Sequence, residues 1–197
     1  MSRIFISGSS TGLGLMAGDL LINQGHQVVL HARNSARADD AKRALPRAEA
    51  IVEGDLETIA GAKDVAARVN DLGRFDAVIH NAAVGYREGH HLTADGFPHV
   101  AILSVAVARR WPDVSSNALE PGWVPTKMGG AGAPDDMDQA HLTQAWLAAS
   151  DQAEAGVTGR YFYHLRPLAP NPLANNPELQ DRLITICAEL SGVLFPG

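Results

Sequence analysis

The stretch RIFISGSSTGLGLMAGDLLINQGH, Arg3 to His26, decides how the rest of the chain is read. Its first six residues, Arg3 to Gly8, are a short β-branched and aromatic run, the pattern of a buried strand. Apolar residues then recur at Leu13, Met16, Ala17, Leu20 and Leu21, a helical spacing that Gly25 stops. Between strand and helix lies SGSSTGLG, with glycines at 8, 12 and 14. Glycines at such a turn let the backbone come close to a diphosphate and let the helix pack tightly on the sheet. The helix start adds outward N–H groups and the positive end of its dipole. A glycine-rich loop alone is a weak signal, but in a strand–turn–helix context it is the fingerprint of a dinucleotide site. Gly8, Ser9, Ser10, Gly12, Leu13 and Gly14 are the residues expected to cradle it.

Outward from this unit, strands and helices alternate. QVVLHAR (27–33) reads as a strand, NSARADDAKRALPR (34–47) as a polar-faced helix closed by Pro46, and AEAIVEGDL (48–56) as a third strand. ETIAGAKDVAARVNDLG (57–73) is a helix with Gly73 after its end, and FDAVIHNAA (75–83) a fourth strand. Four alternations with short connections predict a doubly wound α/β fold, a parallel sheet with helices on both faces and right-handed crossovers. A polar loop (84–93) leads into a helix over about 96–111, then VSSNALEPG (114–122) as a strand entering a turn. PDDMDQAHLTQAWLAAS (134–150) is a helix that Asp135 or Asp136 can cap, and GRYFYH (159–164) a last strand. RPLAPNPLANNP (166–177) reads as a surface loop. Asn176, Pro177 and Glu178 then start a C-terminal helix that ends at Gly192. No repeat and no second domain is visible, so residues 1–197 are expected to form one Rossmann-like domain.

The bulk numbers set limits. The 197 residues are 46% hydrophobic and 19% charged, enough apolar content for one sizeable core. A net charge of −6 gives no global attraction to nucleic acid or an anionic membrane. Cys187 is the single cysteine, so no internal disulfide can form, and within LITICAEL it reads as a buried structural thiol. The first strand starts near Met1, which leaves no room for a signal peptide, and no apolar run is long enough to span a membrane. A soluble cytoplasmic protein is expected. His80, His90, His91 and His99 lack the spacing of a metal site. Trp111, Trp123 and Trp146 read as core or pocket wall rather than as a stacking platform for bases.

The end of the second strand selects among nicotinamide dinucleotides. An acid there would bind the ribose hydroxyls of NAD, whereas HARN places Ala32 at that position and Arg33 after it. A guanidinium suits a 2′-phosphate, and the hydroxyls of Ser9 and Ser10 could add donors. NADP(H) is therefore the expected cofactor.

With these motifs the chain resembles the short-chain dehydrogenase/reductase family. That family's Thr-Gly-x3-Gly-x-Gly appears here as Ser7-Gly8-x3-Gly12-x-Gly14, with Ser for Thr. Its Asp after strand three, which meets the adenine, matches Asp55, beside Leu56. Its Asn-Asn-Ala-Gly after strand four matches His80-Asn81-Ala82-Ala83 with two departures, and the resemblance implies that Asn81, Ala82 and Ala83 line the ribose. Its Pro-Gly turn matches Pro121-Gly122, and the Thr that reaches the nicotinamide amide matches Thr126. The resemblance implies hydride transfer between NADPH and a small carbonyl or alcohol substrate.

The family's catalytic Ser, and its Tyr and Lys four residues apart, have no counterpart. Tyr86, Tyr161 and Tyr163 are followed four residues later by His90, Leu165 and Pro167, and Lys42, Lys63 and Lys127 are not correctly spaced. The break falls in GFPHVAILSVAVARRWPDV (96–114), with a junction near 100–101: TADGFPHV resembles the start of the family's fourth helix and AILSVAVARRWPDV the end of its fifth. The joined segments keep a helical phase through Leu103, Ala106, Val107 and Arg110, and Pro98 can sit in the first turn. The strand after the junction is then expected to pair beside the fourth. The family's usual dimer surface is largely lost with the missing segment, so a monomer, or a homodimer through another surface, is expected. Tyr86 and His90 are the candidates for a substitute acid–base pair. The other reading is a non-catalytic dinucleotide-binding sensor or partner-binding module.

Overall fold

The structure, a computed structural model, describes residues 1–83 and 99–196. It divides into two compact units, one of Met1–Gly85 and Trp123–Ser150, the other of Tyr86–Gly122 and Asp151–Gly197.

The first unit is a parallel sheet flanked by helices, Rossmann-like in its winding. Strands β1 (Arg3–Ile6), β2 (Gln27–Ala32), β3 (Ala50–Glu53) and β4 (Ala77–Ile79) lie in the order β3-β2-β1-β4, all parallel. Alternation along the strands makes two cores. Ile4, Ile6, Val28, Leu30 and Ile79 face one way, toward Ala17, Leu21 and Ile22 of α1 (Gly12–Asn23) and Ala41 of α2 (Ser35–Ala44). Phe5, Val29 and Val52 face the other way, toward Val65 and Val69 of α3 (Ile59–Asp71). Ala145 returns to the first core from late in the chain. The structure caps the starts of α2 and α3: the side chains of Asn34 and Thr58 accept hydrogen bonds from the N–H groups of Arg37 and Gly61. Gly25 and Gly73 stop α1 and α3 with φ of 88° and 95°.

The expected helix over 134–150 is two helices, α5 (Met137–Ala140) and α6 (Leu142–Ala149), separated at His141. Asp136 is the cap, accepting from Asp138 N–H at 2.9 Å.

In the second unit, β5 (Ala118–Glu120), β6 (Tyr161–Tyr163) and β7 (Arg166–Leu168) form a three-stranded sheet. The helix α4 (His99–Arg110) runs unbroken across the junction at 100–101. Its buried residues are Ala101, Ile102, Ser104 and Ala106, while Leu103 is exposed. The C-terminal helix α7 (Pro177–Ser191) begins as predicted. Asn176 Oδ1 accepts from Glu178 and Leu179 N–H, Pro177 follows, and Gly192 closes the helix at φ 67°.

Three expectations are corrected here. First, β5 does not extend the four-stranded sheet: its parallel partner is β6, and among the described residues β4 pairs with β1 alone. Second, the stretch read as a surface loop contains β7, antiparallel to β6, and a 3-10 turn over Pro172–Asn175. The hairpin carries no signal in the sequence because His164 and Leu165 form its turn, both at positive φ (44° and 65°), where Gly or Asn is usual. Pro167 is tolerated because β7 is an edge strand. Third, Cys187 is exposed rather than buried. The buried positions of α7 are Gln180 and Ile184, and the residues around Cys187, Ile186 and Leu190, are exposed as well.

Among the described residues, no helix is long and apolar enough to cross a membrane.

Candidate dinucleotide site

In an open parallel sheet the ligand crevice lies beyond the carboxyl ends of the strands, where the winding reverses. Here that point lies between β1 and β4. A closed polar network ties the two strand ends together. Ser7 N–H donates to the Ile79 carbonyl (2.9 Å), and Ser7 Oγ accepts from the N–H groups of Asn81 and Ala82, both at 3.1 Å. Asn81 reaches back, its Nδ2 donating to the carbonyls of Ser7 (3.2 Å) and Gly8 (2.9 Å). Asn81, expected to line a ribose, is thus also the clamp that shapes the glycine loop.

The glycines are required by geometry. Gly8 has φ 62°, and a Cβ there would stand 2.7 Å from Ala82 Cα. A Cβ on Gly14 would stand 2.5 Å from Asn81 Nδ2 and 2.9 Å from the Gly8 oxygen. Gly12, at φ 61°, has nothing among the described residues within 4 Å of where its Cβ would be. Thr11, the residue before α1, makes no side-chain cap, and the first turn carries no acidic residue. The N–H groups there are left to an anion. Gln144 of α6 fixes this turn, donating from Nε2 to the Leu13 carbonyl at 3.0 Å.

The two serines part company. Ser10 is half-buried. Ser9 is fully buried: its hydroxyl donates to the Ile6 carbonyl (2.7 Å) and accepts from His31 N–H (2.8 Å). Ser9 therefore joins β1 to β2 and is no hydroxyl donor for a phosphate, which corrects the sequence expectation for that side chain.

At the end of β2, Arg33 has its side chain 62% exposed and Glu57 4.0 Å away. Such a loose, solvated pair leaves the guanidinium available to a better anion. Asp55 Oδ1 accepts from Glu57 N–H (3.0 Å), closing a turn after β3, and Leu56 packs against the Phe5–Val29–Val52 core. Thr126 sits in a tight turn, its Oγ1 accepting from Gly129 N–H at 3.1 Å. The same turn carries Trp123, which donates from Nε1 to the Gly129 carbonyl (2.9 Å). Trp123 is 56% exposed, so of its two expected readings, core or pocket wall, core does not hold. Ala82 and Ala83 are exposed beyond the clamp. In the second unit, Gly122 has φ 88° and the Pro121 carbonyl lies 3.3 Å from His164 Nε2. Tyr86 and His90 lie outside the described residues.

Two side chains at the site gave no signal in the sequence reading, Gln144 and His31. His31 Nδ1 accepts from Gly8 N–H (3.0 Å) and its Nε2 stands 2.9 Å from the Gly54 carbonyl. A buried histidine inside an apolar strand pattern reads as core, and only coordinates show which loop it meets.

The profile of the short chain dehydrogenase family matches residues 2–105. The chain belongs to the short-chain dehydrogenase family. It is 34% identical to an uncharacterized oxidoreductase of Emericella nidulans over 254 aligned positions, covering the whole of both chains. It is 33% identical to the short-chain dehydrogenase chry4 of Gibberella zeae over 259 positions, again over the whole of both. With 197 residues in this chain, several dozen positions of each alignment face no residue here. Among solved structures, one of an uncharacterized protein from Mycobacterium paratuberculosis shares the fold with a TM-score of 0.74 at 16% identity, covering 100% of this chain and 96% of that one. A blue fluorescent protein from a metagenomic library, solved with NADPH, gives 0.68 at 16% identity, covering 82% and 95%. RhlG of Pseudomonas aeruginosa, solved with NADP, gives 0.64 at 18%, covering 82% and 93%.

Tyr161 does not suit proton transfer near neutrality. The Tyr161 phenol donates to Glu120 Oε2 (3.2 Å), and burial first, then the Glu120 carboxylate, push its pKa up to about 12. A general acid/base needs a value brought toward the working pH. Tyr163 is stacked on the His164 ring, centroids 3.9 Å apart.

Proposed function

We propose that this short-chain dehydrogenase binds NADP(H) on the carboxyl ends of β1 to β4 and serves hydride exchange with a small carbonyl or alcohol compound. The observation that carries the reading is the glycine cradle. Gly8, Gly12 and Gly14 keep side-chain atoms away from the start of an uncapped helix, and Asn81 holds the loop in place. A diphosphate fits that donor set: backbone N–H groups around Gly12 and Leu13, the dipole of α1, and no acid in its first turn. Arg33 takes the 2′-phosphate, Asp55 and Leu56 flank the adenine, Asn81 to Ala83 border the ribose, and Thr126 approaches the nicotinamide. NADPH, when bound, supplies the hydride; the chain's residues bind and orient.

The test is a fluorescence titration with NADPH and with NADH, followed by NADPH consumption against a panel of aldehydes and ketones. The expected results are NADPH-selective binding and a loss of about tenfold or more in NADPH affinity, with little change for NADH, in Arg33→Ala. Binding without turnover would favour the non-catalytic dinucleotide-binding module. Equal affinity for both nucleotides in the wild type would overturn Arg33 as selector.

A further inference from the structure

His31 is 3% exposed at the end of β2, and its ring joins two loops that lie on either side of it. Gly8 N–H donates to Nδ1, so Nδ1 carries no proton, and the neutral ring must carry its proton on Nε2. That N–H then points at the Gly54 carbonyl, 2.9 Å away. The backbone of the same residue is bonded on both sides by Ser9: His31 N–H to Ser9 Oγ at 2.8 Å and Ser9 N–H to the His31 carbonyl at 3.1 Å. One residue thus fixes the first glycine of the loop after β1 and the residue preceding Asp55 after β3.

We infer that neutral His31 is a positioning residue for the dinucleotide site, setting the spacing between the glycine loop and the adenine-side turn, and that its protonation releases the loop and weakens binding. The inference rests on the dinucleotide reading above. A proton added to Nδ1 faces the Gly8 N–H head on, so the two donors repel and the half-buried Gly8 N–H loses its acceptor. Around the ring, Phe5 of β1 is apolar and edge-on, with centroids 6.4 Å apart, and Ser9 of the loop is neutral. Asp55 beyond β3 is the charged group whose field reaches the ring, and it favours the proton together with the Gly54 carbonyl. Burial outweighs both and holds the imidazole below its ordinary value of about 6.5. A group lowered by folding contributes fully above its unfolded value, and the contribution is lost as pH falls through the folded one.

The test is calorimetric titration with NADP⁺ between pH 8 and pH 5, for the wild type, His31→Asn and His31→Phe. Asn offers an oxygen where Nδ1 stands and cannot take up a proton at these pH values; Phe keeps the volume and offers no acceptor. The ligand's 2′-phosphate titrates in the same range, with a pKa near 6, but all three proteins meet it equally, so differences between them isolate His31. Wild-type affinity is expected to fall below pH 6.5 more steeply than that of His31→Asn, and His31→Phe to bind about tenfold more weakly at every pH. Ring NMR of the wild type at pH 8 should show Nδ1 bare and Nε2 protonated, a readout independent of any variant's folding. Parallel pH profiles in wild type and His31→Asn, or the opposite tautomer, would overturn the inference while leaving the dinucleotide reading intact. No binding of NADP⁺ by the wild type at pH 8 would overturn both.

Discussion

The two units are built on different principles. In the first, a two-faced parallel sheet buries Ile4, Ile6, Leu30 and Val29 completely. Its buried polar residues at the strand ends, Ser7, Ser9 and His31, have partners within the same unit. In the second, each strand is three residues long, and the cluster under α4 is made of Ala101, Ile102 and Ala174. There α4 meets α7 through Leu183 at that cluster, through Arg109 Nε on Gln180 Oε1, and through Arg109 and Arg110 on Asp181, two ion pairs open to solvent. The comparison teaches why a shortened member of the family can retain one end of its machinery. The geometry of the glycine loop is closed by β1, β2, β3, β4 and one glutamine from α6, none of which comes from the region where the sequence resemblance breaks. The described tyrosines of the second unit show no such arrangement: burial, then Glu120, holds Tyr161 protonated, and Tyr163 is stacked on His164.

Four experiments sharpen or break this contrast. The largest effect is expected at Phe162, whose side chain is the largest of those fully buried among the described residues. Phe162→Ala should lower unfolding stability by about 3–5 kcal/mol in urea, with NADPH affinity of the folded fraction changed less than twofold. A matching loss of affinity would mean that the cradle is not self-contained. Next is Gly14→Val, which forces a Cβ against Asn81 and the Gly8 backbone. A destabilisation of about 3 kcal/mol is expected, and here NADPH binding should disappear. Ser9→Ala removes the acceptor of a buried N–H, and a loss of about 1–3 kcal/mol by thermal or urea melting is expected. If Ser9 were instead a surface phosphate ligand, stability would hardly move and affinity would fall. The smallest effect is a pH effect. Hydrogen bonds from Arg110 and then Arg109 hold the Asp181 carboxyl below its ordinary range. A lowered carboxyl contributes above its unfolded value, about 3.9, and the contribution fades as pH falls through the folded one. The acid limb of the melting curve should therefore be slightly shallower in Asp181→Asn. Half-exposed as it is, Asp181 should contribute little even at neutral pH, where its contribution is complete.

The sequence makes the first unit readable because each of its signals is local. Short β-branched and aromatic runs give the strands, helical spacing gives α1, and Gly25 and Gly73 give the ends of α1 and α3, whereas the caps Asn34 and Thr58 emerge only in the structure. The glycines at 8, 12 and 14 are legible for the same reason, since a tight turn at a strand end leaves few other residues possible. Long-range pairing is not readable in this way. Nothing in ALE at 118–120 says that its partner is Tyr161–Tyr163 rather than β4, and the His164–Leu165 turn lacks the residues that announce a hairpin. The roles of His31, Gln144 and Ser9 are invisible for a related reason. Each is a polar residue whose partner lies more than a few positions away, so its pattern matches core or loop equally well.

The most direct measurement is amide hydrogen exchange with and without NADPH, read peptide by peptide. Bound NADPH should slow exchange around Gly8–Gly14 and Gly54–Leu56, and leave residues 101–122 and 151–196 nearly unchanged. Protection confined to those two later stretches, or none at all around Gly8–Gly14, would contradict the claim that the glycine cradle of this chain is a working dinucleotide site.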